Sequence, residues 1–513
     1  MSSGSHLRRI ILVIIIAAAL VRFAGLDKLP SALNRDEAAI GWNAYSLLQT
    51  GKDEHGAAWP LNFKSIGDYK MPGYIYATIL PVKLFGLNDF SIRFWSAVAG
   101  VAIVAAVYLI TGSLLAATLM AFNPWAIFYS RIGFEANLAL ALFLVGLWLL
   151  IKKRWGGYLF WLLSGLTYSS SLIFIPLFFA AVMIWLKPKI IPSILFIAAF
   201  GFMFVSLWAV SAQKANVTVF SDPATIDYYN QTRTAVYDKN PLLARTVWNK
   251  YVYFGRVIGT NYLKSFSPRF LLTTGGGHPW QQIPNMGYFY LAEILLAVMG
   301  LVYLFKTKHP WRWWLLVWLL LAPLASAITI DAPHATRSLY LLPVIIILAS
   351  FAAAPIASAK GALPKILVGL YLINFVYFGY QYLVNYPRFY RTNLPVGLKE
   401  AIKFVQSQNI TGPVYLTGIH DSNYLYPLVY TGFDPSVFQE KSLWTEPDTA
   451  GLSHAYQFGQ FTIVDDLVDV VNPEALILPK QLFYPKVTTY AFGNYRVILW
   501  QSREWLKPSI ENQ

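Results

Sequence analysis

Apolar residues gather into long runs separated by short polar turns, and run length rather than amphipathic period is the first signal in this chain. A helix that crosses a bilayer needs roughly 20 apolar residues. About eleven segments approach that length: 10–24, 92–110, 113–130, 136–151, 157–171, 172–186, 190–210, 287–305, 311–329, 338–356 and 364–384. The intervening polar segments are unequal, with long ones at 25–91 and 211–286 and tight turns elsewhere. Past residue 385 the pattern changes. "GPVYLTG", "QFTIVDD", "EALILPK" and "NYRVILWQS" read as strands between Gly, Pro and Asn turns. "PVGLKEAIKFVQSQ" has the spacing of an amphipathic helix. The pattern predicts a polytopic α-helical membrane region over 1–384 and a small soluble α/β domain over 385–513.

Composition supports that division. Of 513 residues, 56% are hydrophobic and only 13% are charged, against about a quarter charged in soluble proteins. There is no cysteine, which excludes a disulfide framework, a thiolate metal site and a cysteine nucleophile. The opening "MSSGSH" reads as a cloning remnant.

Net charge is +15, and its placement orients the chain. Arg8 and Arg9, "KKR" at 152–154, "KPK" at 187–189, "KTKHPWR" at 306–312 and "AKGALPK" at 359–365 belong on the cytoplasmic side. They share one side only if "PGYIYATILPVKLFG" at 72–86 does not cross. Its Pro-Gly start and internal Pro81 suit a helix lying at the membrane interface. The outer face then collects 25–91, 131–135, 168–171, 211–286, 331–337 and everything after about 385. Part of the basic surplus suits contact with membrane lipids and lipid phosphates. No basic cluster accompanies a soluble recognition element, so nucleic acid is excluded as a partner.

The polar groups that carry chemistry lie in these outer segments. "NRDEAAIGW" places Asp36 and Glu37 at a helix start, where an acid serves either the helix dipole or proton transfer. "SIGDYKMPGYIY" offers Asp68 and Lys70, the lysine suited to snorkelling or to holding a phosphate. Arg131 and Glu135 flank one turn at a spacing that permits an i,i+4 pair. "DAPHATRSLYLLP" supplies His334, Arg337 and Tyr340. Arg337 either anchors a helix end or grips phosphate through its planar fork. His278 follows Gly275–Gly277, a tract that matches no phosphate-loop fingerprint. Joined by an acid from elsewhere, His278 is a candidate ligand for a divalent metal. No other cofactor is indicated. Trp280 suits stacking on a sugar or an interfacial belt. Glu293, inside an apolar run, belongs in the bundle interior.

The run "RDEAAIGWNAYSLL…GDYKMPGYIYATILPVKLFGLNDFSIRFWSAVAG" resembles the first outer loop and second span of membrane glycosyltransferases with the GT-C fold. It is most similar to the branch holding protein O-mannosyltransferases and the lipid A aminoarabinose transferase. "NPWAIFYSR", "NYLKSFSPRFL" and "RSLYLLP" extend the likeness over roughly 25–385. The resemblance implies transfer of a sugar from a polyprenyl-phosphate carrier to a protein, lipid or glycan acceptor at the outer face. It makes Asp36 the catalytic acid/base residue and brings Lys70 to the carrier phosphate. It places Arg337 and Tyr340 around that phosphate. An acid often precedes the lysine in such enzymes, whereas this chain has Tyr69, with Asp68 one step back.

The expected reaction is inverting. Asp36 takes the acceptor proton, and cations rather than an acid stabilise the departing phosphate. Arg131 is a further candidate cation, and Glu37, Asp68, Glu135 and His278 are candidate substrate contacts. A retaining route with Glu37 as nucleophile stays open. Two other classes compete: a secondary transporter or carrier flippase, and a non-catalytic scaffold. Transporters commonly place charges at mid-membrane in repeated halves. Here the charges sit at outer ends and no repeat is visible.

Overall fold

In the computed structural model, residues 2–66, 68–207, 212, 217–358, 361–389, 394–417, 423–447, 452–465, 470, 473–479 and 489–499 are described. Each apolar run falls largely on helix. The first ten helices are α1 (Ser2–Phe23), α2 (Arg35–Thr50), α3 (Pro72–Phe85), α4 (Asp89–Thr111), α5 (Leu114–Phe122), α6 (Pro124–Ser130), α7 (Glu135–Ile151), α8 (Gly157–Thr167), α9 (Ser169–Leu186) and α10 (Ile190–Ser206). Further apolar helices follow at Leu291–Lys306, Arg312–Leu321, Leu341–Ser350 and Leu363–Tyr380.

Among the described residues, four helical stretches are long and apolar enough to cross a membrane. They are Asp89–Thr111, Ser169–Leu186, Leu341–Ser358 and Leu363–Phe389. A fifth arises if the bent pair α6 and α7, turned by 115°, is one span. Several remaining runs are shorter helices because proline or a capping residue divides them. The expected single segment 113–130 is two helices: Pro124 has no N–H to continue α5, and Asn123 caps α6 by accepting from Ala126 N at 3.0 Å. The segment 311–329 breaks at Ala322–Pro323, without a side-chain cap. Among its described residues, the long segment 211–286 holds three α-helices that its mixed composition did not announce: Pro223–Lys239, Pro241–Thr246 and Lys250–Lys264.

Two features of the first outer segment position its polar groups. A short antiparallel hairpin, β1 (Phe63–Ser65) and β2 (Asp68–Lys70), pairs Phe63 with Lys70. It feeds directly into α3, which starts at Pro72 and lies against α2, α4 and α8. Glycine at 73 makes the α3–α8 approach possible, since a Cβ there would lie 2.4 Å from Thr167 Oγ1 and 2.8 Å from Thr167 Cα.

The C-terminal region forms a seven-stranded mixed sheet. Its strands are β3 (Val414–Thr417), β4 (Leu443–Trp444), β5 (Ala455–Phe458), β6 (Phe461–Val464), β7 (Ala475–Pro479), β8 (Thr489–Phe492) and β9 (Tyr495–Leu499). The order is β4-β5-β6-β3-β7-β9-β8. The four expected strands are β3, β6, β7 and β9, and the expected amphipathic helix is Leu398–Ser407. β3 runs parallel to β6 and β7, while the outer pairs are antiparallel. This region shares a core with the first outer segment. Leu33, Ala38, Ala39 and Trp42 are buried with Leu398, Ile402, Tyr424 and Phe438, and the Trp42 and Phe438 rings meet edge-on at 5.4 Å.

Candidate active site

Asn34 fixes the start of α2. Its side chain accepts from Glu37 N at 3.0 Å, and Glu37 Oε2 accepts from Asn34 N at 3.0 Å, completing a capping box. Asp36 therefore sits in a first helical turn with a fixed direction. Its Oδ1 accepts from Lys70 Nζ at 2.6 Å. Lys70 is 5% exposed and Asp36 is 32% exposed, so the pair is buried on the lysine side and open on the carboxylate side. Burial works against the Lys70 ammonium. The charges of Asp36, Asp68 and Glu135 more than offset it and raise the pKa above the ordinary lysine value. Lys70 thus remains a cation.

The other predicted residues divide into two groups. Glu37 turns inward: Arg93 Nε donates to its Oε1 at 2.8 Å, as does Gly133 N at 2.8 Å. With Asn34 on Oε2, both oxygens are committed inside the scaffold and the residue is 1% exposed. α6 ends at Ser130 and the chain bends before Glu135, which leaves Arg131 in the turn. Its guanidinium donates to the carbonyls of Val21, Arg22, Gly25 and Leu29 and to Tyr382 Oη. Tyr340 lies within the helix bundle, stacked on Phe174 at 3.9 Å, with its hydroxyl 2.8 Å from Ser171 Oγ. All three side chains are buried and hydrogen-bonded inside the protein. Glu293 likewise faces inward, accepting from Asn123 Nδ2 at 2.8 Å.

The second group is more accessible, apart from the buried His334. Arg337 donates to Asp331 Oδ1. His278 Nε2 lies 3.2 Å and His334 Nε2 3.5 Å from Asp331 Oδ2. Burial alone would raise the Asp331 pKa, but His278, His334 and Arg337 hold it well below the usual carboxylate range. Trp280 connects the two groups of polar residues, with the Arg35 guanidinium 5.8 Å from its ring centroid and the His278 ring 5.8 Å away. Sequence reading did not single out Asp331, Arg22 or Arg93. Asp331 had a signal in "DAPHATR", three residues before His334. The two arginines had one in being ionisable groups within apolar runs.

Of three openings among the described residues, the last two border these groups. An apolar groove of about 350 Å³ runs along Pro72, Gly73, Tyr76, Leu138, Leu163 and Leu166, beginning two residues after Lys70. A second, of about 250 Å³, lies between α9 and the 325–329 turn and ends on Arg337. The third is polar, about 750 Å³, and is bordered by Lys264, Arg269, Gly275–Gly277, His278 and Asp331. A cation, Arg337, thus lines the second groove.

Comparison with known proteins gives no matching family model and no matching curated protein. Solved structures do match. ArnT from Cupriavidus metallidurans in the apo state superposes with a TM-score of 0.53 at 12% identity, covering 95% of this chain and 97% of that one. The same protein bound to undecaprenyl phosphate gives 0.52 at 11% identity over 97% and 98%. The chain has a GT-C fold. Archaeal oligosaccharyltransferase AglB from Archaeoglobus fulgidus also matches, at a TM-score of 0.43 and 14% identity, over 82% of this chain and 63% of that one. The GT-C fold here includes the C-terminal mixed sheet as well as the helical bundle, since the ArnT match spans nearly the whole of both chains.

Proposed function

We propose that this protein is an inverting glycosyltransferase that takes its sugar from a polyprenyl-phosphate carrier. The observation that carries the reading is the Asp36–Lys70 pair, buried on the lysine side and open on the carboxylate side. A general base, a buried cation and an apolar channel are the parts such a reaction needs. The acceptor hydroxyl gives its proton to an Asp36 oxygen while its oxygen attacks the anomeric carbon. The bond from that carbon to the phosphate oxygen breaks, and the carrier leaves as a phosphate anion. Lys70 and Arg337 stabilise the anion, so no general acid is required. Asp68 and Glu135 contact sugar hydroxyls from beside Lys70. The likeness to ArnT, one of whose structures holds undecaprenyl phosphate, supports a lipid phosphate as the donor's leaving group. The reaction faces the extracytoplasmic side, following the distribution of basic loops, and the acceptor is a protein, lipid or glycan hydroxyl.

The test uses the purified chain in lipid nanodiscs with a polyprenyl-phosphate sugar. Replacing Asp36 by Asn should lower carrier cleavage by about 100- to 10,000-fold, the usual contribution of a positioned base, with little change in carrier affinity. Near-normal cleavage by the variant would remove Asp36 from the role of base. Transport of intact carrier across liposomes without cleavage would assign a flippase instead.

A further inference from the structure

Residues 217–262 form an arm that begins and ends at one place in the bundle. At its start, Val219 N donates to Ile328 O at 3.0 Å, and Ile330 N donates to Val217 O at 3.1 Å. At its end, Asn261 Nδ2 donates to the carbonyls of Ala327 and Thr329 at 3.3 and 3.2 Å. Tyr262 Oη donates to Leu320 O at 2.9 Å, inside the apolar helix Arg312–Leu321. Both ends are thus fastened to the turn at 327–330 and the apolar helix that precedes it. Between them the arm closes on itself, with the Tyr229 and Tyr253 rings 5.1 Å apart and those of Phe220 and Phe254 5.3 Å apart. Over residues 220–260, Ala244 alone is buried.

The tip of the arm is both apolar and basic. Leu242 is 71% and Tyr251 76% exposed, and Val247 is exposed between them. Lys239, Arg245, Lys250 and Arg256 interrupt the same stretch, which holds no acid. Lys250 Nζ stands 5.1 Å from the Tyr251 ring centroid, and the Arg256 guanidinium 5.4 Å from that of Trp248. Such side chains lay their stems along apolar surface and send their charged heads toward water or phosphate.

We propose that this tip seats in the headgroup region of an anionic lipid bilayer, on the face of the membrane that carries the candidate active site. Charge is the first reason: four cations without an acid complement lipid phosphates. Composition is the second. Tyr and Trp beside Lys and Arg make up interfacial segments, whereas lysine is depleted from the cores of protein–protein interfaces. Position is the third. Tyr262 holds the base of the arm level with Leu320, an exposed residue of an apolar helix, so the arm springs from a depth where the protein surface is already apolar. The helix Lys250–Lys264 then runs from the tip to Lys264, which borders the polar cavity with His278 and Asp331. A tip held on lipid fixes that wall of the cavity relative to the membrane surface.

The test needs no sugar donor, so its result is separate from that of the transferase reading. The chain has no cysteine, so one introduced thiol is labelled alone. Tyr251→Cys at the tip and, as a reference, Gln406→Cys at an exposed position of the C-terminal region each receive an environment-sensitive fluorophore. The full chain is placed as single copies in nanodiscs of phosphatidylcholine, or of phosphatidylcholine and phosphatidylglycerol in equal parts, with and without nitroxide-labelled lipid. The label at 251 should shift to the blue and be quenched by the nitroxide lipid, more strongly in anionic discs and less at high salt. The label at 406 should do neither. Arg245→Glu with Lys250→Glu, both at exposed positions, should lower quenching at 251 to the level at 406, with thermal unfolding confirming a folded chain. Quenching no greater at 251 than at 406 would overturn the docking. Equal quenching in neutral and anionic discs would overturn the part given to the cations. A blue shift seen only when two copies share a disc would assign the tip to a second copy of the chain instead.

Discussion

Asp36 and Glu37 are neighbours, but a helix turns each successive side chain by about 100°, and the two meet different surroundings. Glu37 closes a capping box and neutralises Arg93, whose remaining donors go to the carbonyls of Leu26, Pro30 and Ala32. Asp36 faces the opening with Lys70. Chemistry is therefore expected of Asp36 and stability of Glu37. Replacing Glu37 by Gln leaves a buried guanidinium without its counter-charge, which should destabilise the fold by about 3–5 kcal/mol. Unfolding of the purified variant in denaturant or heat would measure this. From the sequence, an acid at a helix start was visible for both residues. Nothing local could say which would face inward, because the answer depends on Arg93, 56 positions away.

At the scale of elements, the hairpin and α3 act together. β1 and β2 are three residues each, too short to give an alternating signal, so the hairpin that presents Lys70 was not foreseen. α3 was foreseen from its Pro-Gly start and internal proline. Its seat against α8 depends on Gly73, and replacing Gly73 by Val forces side-chain atoms into Thr167 and the Leu166 carbonyl. A stability loss of about 1–3 kcal/mol is expected. Because Gly73 also borders the apolar groove, carrier binding should weaken in the same variant, measured by titration with polyprenyl phosphate.

Across the whole molecule, the C-terminal sheet is joined to the helical bundle through the first outer segment. Tyr424 Oη donates to Glu54 Oε2 at 3.2 Å, and Gln439 Nε2 reaches Ser46 Oγ at 2.9 Å and the Asp53 carbonyl at 2.8 Å. Glu54 is buried. That burial, with the charge of Asp53, pushes its pKa up to about 8, against the pull of Ser65, Tyr424 and Asn43. The neighbouring His55 is pushed down to about 4, mainly by burial, and is neutral near pH 7. The folded state thus holds the Glu54 proton more tightly than the unfolded chain does. Below about pH 6.5 the depressed His55 contributes an opposing rise in stability, so the net loss from Glu54 should appear between about pH 6.5 and 8 and then level off. Glu54→Gln should flatten that slope, as melting temperatures at several pH values would show.

The sequence by itself determined that this is a helical membrane chain with a β-containing C-terminal region. Run length, charge deficit and strand alternation are local properties that need no knowledge of contacts. It also marked most of the polar groups at the candidate site, since an ionisable residue beside an apolar run is costly and therefore conspicuous. Only the tertiary structure decided which of them meet. The Asp36–Lys70 contact joins residues 34 apart, His278–Asp331 residues 53 apart, and Glu54–Tyr424 residues 370 apart. Packing alone fixes such pairs. The same packing buries Arg131, Tyr340 and Glu37, each against carbonyl, hydroxyl or guanidinium partners that no periodicity records.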